Sequence, residues 1–185
     1  MEYRAARPED YDAMVLLANA NYIENLTPEQ RRDGFLSVRF VRDDFVRMAG
    51  EVGIAAAFED GALAGFLCAE TIDKAGMPPV LARTAQCFRD SHFQGKPGHE
   101  WKSFLAGPLC IAEAFRGQGV RHGLHKALLA MVQGNYEVGV SFIAFENSRS
   151  YHGATAHEGH GGLDEVASFE LNGQHYHVLA FKVEQ

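Results

Sequence analysis

The chain has 185 residues, 46% of them hydrophobic and 22% charged, with a formal net charge of −7. That length fits a single domain over residues 1–185 with a sizeable core, and no apolar run approaches the roughly 18 residues of a membrane span. The acidic balance, with no basic run longer than Arg31-Arg32, argues against a nucleic-acid partner. The opening MEYRAARPEDYD lacks the apolar stretch of a secretion signal, so the expected location is the cytoplasm. Cys68, Cys87 and Cys110 form no CxxC pair, and two of them lie in apolar runs. A disulfide framework is therefore not expected.

Taken in chain order, Tyr3 to Ala6 reads as a short strand. Pro8 with Glu9 and Asp10 supplies the first turn of a helix whose Met14, Leu17, Ala18 and Asn21 share a face. Thr27, Pro28 and Gln30 have the spacing of a capping box at a second helical start, and Gly34 ends that piece. A third short helix is predicted over Asp43 to Ala49. Two apolar runs, Val52 to Phe58 and Ala62 to Ala69, flank Asp60-Gly61 and read as a hairpin. From Asp73 to Glu100 the periodicity fades among Gly and Pro, leaving a long excursion with one helix over Val80 to Arg89. Phe104 to Ala112 is a strand interrupted by Pro108, which cannot donate to a ladder and so marks a bulge or an unpaired stretch. A Gly-rich turn then opens a helix running to about Val132. Val138 to Phe145 is apolar on both alternating faces, as a covered strand is. A polar, His-rich stretch from Asn147 to Gly162 precedes a closing hairpin, Glu165 to Leu171 and Gln174 to Val183, around Asn172-Gly173.

The most informative stretch runs from Leu109 to Val120: a strand, a tight turn and the glycine-rich start of a helix. The first backbone N–H groups of a helix have no partner within it and point outward with the positive end of the dipole. Glycine lets a phosphate approach that backbone without a Cβ in the way. A diphosphate ligand suits such a turn. The dinucleotide fingerprint does not fit, because Gly117-Gln118-Gly119 is followed by Gly123 one residue too late, and the Walker spacing is absent.

These residues resemble the pyrophosphate loop of the GNAT acetyltransferase superfamily, Q/R-x-x-G-x-G/A. Arg116 and Gly119 fill the first two fixed positions, and Arg121 stands where the family has Gly or Ala. That arginine either points away from the ligand or adds charge to its recognition. The order of elements resembles the family over nearly the whole chain. The stretches Asn19-Ala20-Asn21, Asn25-Leu26-Thr27 and Gly34 to Val38 look like a bacterial subgroup of undefined substrate. The resemblance implies an α/β GNAT fold: a central, mixed but mostly antiparallel twisted sheet flanked by helices, with its fourth and fifth strands splayed.

It also implies an enzyme that transfers an acetyl group from acetyl-CoA to a primary amine of a small molecule or peptide, by direct attack in a ternary complex and without a metal. Leu109, Cys110 and Ile111 would pair with pantetheine. Arg116, Gly117, Gln118, Gly119, Val120 and Arg121 would hold the pyrophosphate. Asn147 and Ser150 match the family's N-x-x-S helix start, where the Asn contacts the CoA arm or caps the helix. The family's acid is a Tyr seven residues after that Asn, a position held here by Ala154. Tyr151 and His157 are the candidates in its place. Glu70, and less so Glu113, is the candidate base. Tyr22, Phe35, Phe40, Phe88, Phe93 and Trp101 could line an acceptor pocket, though aromatics are more often core. Relatives that dimerise through their C-terminal strands make a homodimer an expectation.

Two other readings compete. One is a non-catalytic CoA-binding or regulatory domain on the same fold. The other is a metal-binding protein built on the histidines: His175 and His177 share a strand face, and His157-Glu158-Gly159-His160 superficially resembles HExxH.

Overall fold

The computed structural model describes residues 1–156 and 162–183. In chain order its elements are β1 (Glu2–Ala5), α1 (Tyr11–Ala20), α2 (Arg42–Glu51), β2 (Gly53–Glu59), β3 (Ala62–Thr71), α3 (Pro79–Asp90), β4 (His92–Phe93), β5 (Lys96–Pro97), β6 (Ser103–Ile111), α4 (Val120–Val132), β7 (Val138–Ala144), α5 (Ser148–Thr155), β8 (Asp164–Leu171) and β9 (Gln174–Lys182). Seven strands form one sheet in the order β1-β2-β3-β6-β7-β9-β8, mostly antiparallel. The β6–β7 pair is parallel, and its register covers Ser103↔Val138 to Leu105↔Val140. The residues divide into two compact units, and β6 contributes to both.

The first unit holds Met1–Arg31, Phe35–Glu70 and Ala106–Val132. Here β2 pairs antiparallel with β1 and with β3, and the β2–β3 turn places Asp60 and Gly61 at φ 49° and 79°. Its small side chains are buried on both faces, so helices can approach from either side. Tyr11, Met14 and Ala18 of α1 and Phe45 and Met48 of α2 pack on Ile54, Ala56, Phe66, Cys68 and Cys110. On β1 and β2 lies α4, where Gly123 makes room for the ring of Tyr3: a Cβ there would sit 2.1 Å from Tyr3 Cζ. Fully burying a side chain such as Met14 or Phe45 contributes about 1.5–3 kcal/mol.

The second unit holds Arg32–Gly34, Thr71–Leu105 and the chain from Gln133 on. Its sheet is β7-β9-β8, both pairs antiparallel, with a bulge between Glu165 and Ala167. Against it α3 packs Ala85 and Phe88 onto Val138, Val140, Ala144, Tyr176, Val178 and Ala180.

The sequence reading holds for most elements and differs at three places. Thr27 and Gln30 do form reciprocal bonds (Thr27 N to Gln30 Oε1 2.9 Å, Gln30 N to Thr27 Oγ1 3.3 Å), but the helix they start is a short 3₁₀ turn, Gln30–Asp33. At Pro108 the strand itself continues to Ile111, and the residue lies in a stretch unpaired on the β7 side, where the ladder ends at Leu105. The excursion after Asp73 is less irregular than its composition suggests, since it also contains the β4–β5 hairpin. Phe88 and Phe93 are fully buried in the core, so they line no acceptor pocket.

Candidate cofactor-binding and catalytic site

In the first unit, β6 runs into the predicted diphosphate loop. Ala112 N bonds to Ala64 O at 2.9 Å, which fixes the end of β6. A 3₁₀ turn, Glu113–Phe115, then reverses the chain, with Glu113 exposed. Gln118 Nε2 donates to Ala114 O at 2.7 Å and braces that turn. Gly117 and Gly119 adopt φ 74° and 79°, and a Cβ built on either would meet nothing within 4 Å. This backbone, with two left-handed glycines, faces open space at the start of a 13-residue helix.

Arg116 does not extend into that space. Its Nη2 donates to Asn21 Oδ1 at 2.6 Å and its Nε to Ile111 O at 3.3 Å. Arg121, the second residue of α4, is half-buried, and burial lowers its pKa. One turn further along the same face, burial pushes His125 down to about 4, helped by the charges of Arg121 and His122. Leu109 and Ile111 are half-buried and Cys110 is buried, its thiol pushed up to about 12 by desolvation.

Glu70 lies near the end of β3 and is 4% exposed. Its Oε2 accepts a 2.7 Å hydrogen bond from Arg47 Nη1, and Arg47 also reaches Glu51 at 3.3 Å. Burial alone would lower the Arg47 pKa, but the bonds to Glu70 and Glu51 outweigh it and raise it. Arg47 carries no family motif, and only its placement on α2 brings it to Glu70.

In the second unit, Asn147 is buried in the N-cap position of α5, yet its side chain does not form the capping bond. Gly34, at φ 101°, packs against this helix start: a Cβ on it would lie 2.9 Å from Ser150 Oγ. One turn on, the Tyr151 hydroxyl donates to Glu165 Oε2 at 2.6 Å, and His177 Nδ1 lies 3.0 Å from Glu165 Oε1. The His177 ring stacks on Phe145 at 3.9 Å and on Tyr151 at 4.0 Å between centroids. Both rings lie nearly parallel to the imidazole at that distance, so each covers one of its faces. The bond to Glu165 raises the Tyr151 pKa, and a phenol held by a carboxylate gives up its proton less readily. Burial alone would lift the Glu165 carboxyl, but the bonds of His177 and Tyr151 prevail and hold it low.

Glu165 and His177 were not predicted as a pair. They are twelve residues apart on different strands, and the bulge after Glu165 is invisible in the residue pattern. His157 lies outside the described residues. Among those described, no group of three or more His, Cys, Asp or Glu is arranged to hold a metal. All three cysteines are unbridged, and no described helix is long and apolar enough to cross a membrane.

Against known proteins, no family model and no curated sequence matches the chain. Solved structures do, at full length. An N-acetyltransferase from Staphylococcus aureus Mu50 is 14% identical with a TM-score of 0.61, over 99% of this chain and 98% of that one. The protein yncA from Salmonella typhimurium, solved with its cofactor acetyl-CoA, is 12% identical with a TM-score of 0.62, over 100% and 95%. The chain has the GNAT fold. GphF, a GNAT-like decarboxylase solved with isobutyryl-CoA, matches over the whole of both chains at 15% identity and a TM-score of 0.61. The neighbours thus share an architecture and include CoA-ligand complexes, while their chemistries differ.

Proposed function

We propose that this GNAT-fold chain is an acetyl-CoA-dependent N-acetyltransferase acting on a primary amine. The observation that carries the reading is the loop from Arg116 to Arg121, with two left-handed glycines facing open space where α4 begins. In this reading the backbone N–H groups of that loop and the Arg121 charge hold the diphosphate. The first-turn dipole adds about 0.3–1 kcal/mol per negative charge. Leu109, Cys110 and Ile111 run beside the pantetheine arm, and a backbone N–H there polarises the thioester carbonyl. Asn147 and Ser150 serve the same arm from α5.

The amine nitrogen then attacks the thioester carbon, the C–S bond breaks, and the nitrogen's proton passes to a base directly or through water. Glu70 is that base in this reading, and a proton arriving there competes with Arg47 for the same carboxylate. A Glu70→Gln variant should lose more rate at pH 7 than at pH 9, where more of the amine is already neutral; an unchanged pH profile removes Glu70 from the reaction. Direct attack is favoured over an acyl-cysteine route, because a Cys110 thiol pushed up to about 12 is a poor nucleophile near neutrality. Tyr151 and His157 remain the candidates for protonating the departing thiolate. A homodimer through the C-terminal strands belongs to the same reading.

A second reading is favoured by one observation: the Tyr151 proton is engaged by Glu165. A GNAT fold without an available acid would bind CoA and turn over no amine. Calorimetric titration with acetyl-CoA, repeated on Gly119→Trp, tests the site. Binding by the parent and its loss in a folded variant support the loop, whereas a parent that does not bind ends both readings. An amine panel then separates transfer from binding alone.

A further inference from the structure

Asn19, Asn21 and Asn25 stand out in the sequence without a chemical role, and in the structure each organises backbone. Asn19 pairs with both polar groups of Phe40, donating to its O at 2.9 Å and accepting from its N at 3.1 Å. Asn25 Nδ2 donates to Asn19 O at 2.6 Å. Asn21 does more. Its Nδ2 donates to Leu17 O at 2.9 Å and closes the end of α1, while its Oδ1 accepts from Arg116. Its own carbonyl accepts from Leu36 N at 2.8 Å, and Ile23 N returns a 2.9 Å bond to Leu36 O. A single residue, through its side-chain amide and its backbone carbonyl, therefore joins the first residue of the glycine loop to the end of α1 and to the Tyr22–Leu36 bridge.

We propose that Asn21 is a positioning residue that transmits occupation of the diphosphate loop to the segment around Tyr22 and Leu36. The inference rests on the loop being the CoA diphosphate site. The Arg116 guanidinium bonds the two neutral oxygens of Ile111 and Asn21 and so is held between the end of β6 and the end of α1. Gly117 and Gly119 leave the loop backbone many conformations, and an anion held by its N–H groups selects one. Arg116 directly precedes Gly117, so fixing the loop fixes the base of its side chain. The rigid guanidinium fork carries that constraint to Asn21, and Asn21 carries it to Leu36. Such coupling is reciprocal: whatever orders the Tyr22–Leu36 segment also tightens the loop's hold on its ligand.

Hydrogen exchange measured with and without acetyl-CoA tests this. In the wild type, peptides covering 21–31 and 35–40 should exchange about fivefold more slowly with ligand, and pantetheine, which lacks the diphosphate, should leave them unchanged. Asn21→Leu should still bind acetyl-CoA but lose this protection. Asn21→Asp, which keeps an acceptor for Arg116, should restore it. A merely structural role would alter exchange in the ligand-free protein and leave the ligand-induced difference intact. Protection confined to β6 and residues 116–122 overturns the proposal on the wild type alone, whether or not the variants fold. Retained protection in Asn21→Leu overturns it too. Absence of any acetyl-CoA binding would instead defeat the underlying reading of the loop, and this inference with it.

Discussion

Glu70 and Glu165 are the same functional group in opposite settings. Glu70, in the first unit, is buried and held by a guanidinium; Glu165, in the second, is exposed and held by a phenol and an imidazole. The contrast extends to the units themselves. Among the described residues, both buried carboxylates, Asp10 and Glu70, belong to the first unit, and each is answered by an arginine, Arg4 or Arg47. The buried polar residues of the second unit are neutral, Thr84 and Asn147. Charge is thus interior to one unit and peripheral to the other. The cost of deleting a partner should follow that division, because an uncompensated buried charge is expensive and an exposed polar cluster is worth little.

The largest effect is expected at the buried pair. Arg47→Met strands the Glu70 carboxylate and should cost about 3 kcal/mol, lowering the melting temperature by about 6–12 °C. Glu70→Gln leaves an arginine that can still reach solvent, so its loss should be smaller, about 2 kcal/mol. Variants that melt like the wild type would break the comparison.

His125 sharpens it through pH. Its folded-state pKa is near 4 against an ordinary 6.5, so protonation favours the unfolded chain. The stability tied to neutral His125 is therefore whole above about pH 6.5 and drains away as pH falls toward 4, amounting to about 1–3 kcal/mol. Melting curves at pH 7 and pH 5 should differ more for the wild type than for His125→Gln, and equal slopes would remove the effect.

The smallest effect belongs to the exposed cluster. Tyr151→Phe and Glu165→Gln should each cost less than about 1 kcal/mol and leave acetyl-CoA binding unchanged. A large loss of stability in either would mean that the second unit depends on its surface charges after all.

Legibility in the sequence followed the same physics. The loop could be read because glycine spacing and a following helix are local: Gly117, Gly119 and the apolar face of α4 lie within sixteen residues. The terminal hairpin was equally plain from Asn172-Gly173, which the structure places at φ 54° and 78°. The partners of the candidate residues were not legible, because each comes from a distant element. Arg47 reaches Glu70 from α2, Asn21 reaches Arg116 across 95 positions, and Glu165, beside a bulge in β8, meets Tyr151 of α5. No period or motif encodes such meetings. The family pattern did not help at Tyr151 either, since the tyrosine position it specifies holds Ala154.

The burial of the cysteines has a practical consequence at the bench. Desolvation pushes the Cys110 thiol to about 12 and lifts Cys68 well above its ordinary value, while Cys87 is half-buried and raised as well. Near neutrality a thiol with a pKa near 12 is about one part in 10⁵ thiolate, and the thiolate is the species that a disulfide reagent captures. In the proposed reaction every turnover liberates the thiol of coenzyme A into solution. A colorimetric thiol reagent can then follow turnover continuously in the presence of the folded protein, with Cys87 as the main source of background, and a Cys87→Ser chain would lower that background further.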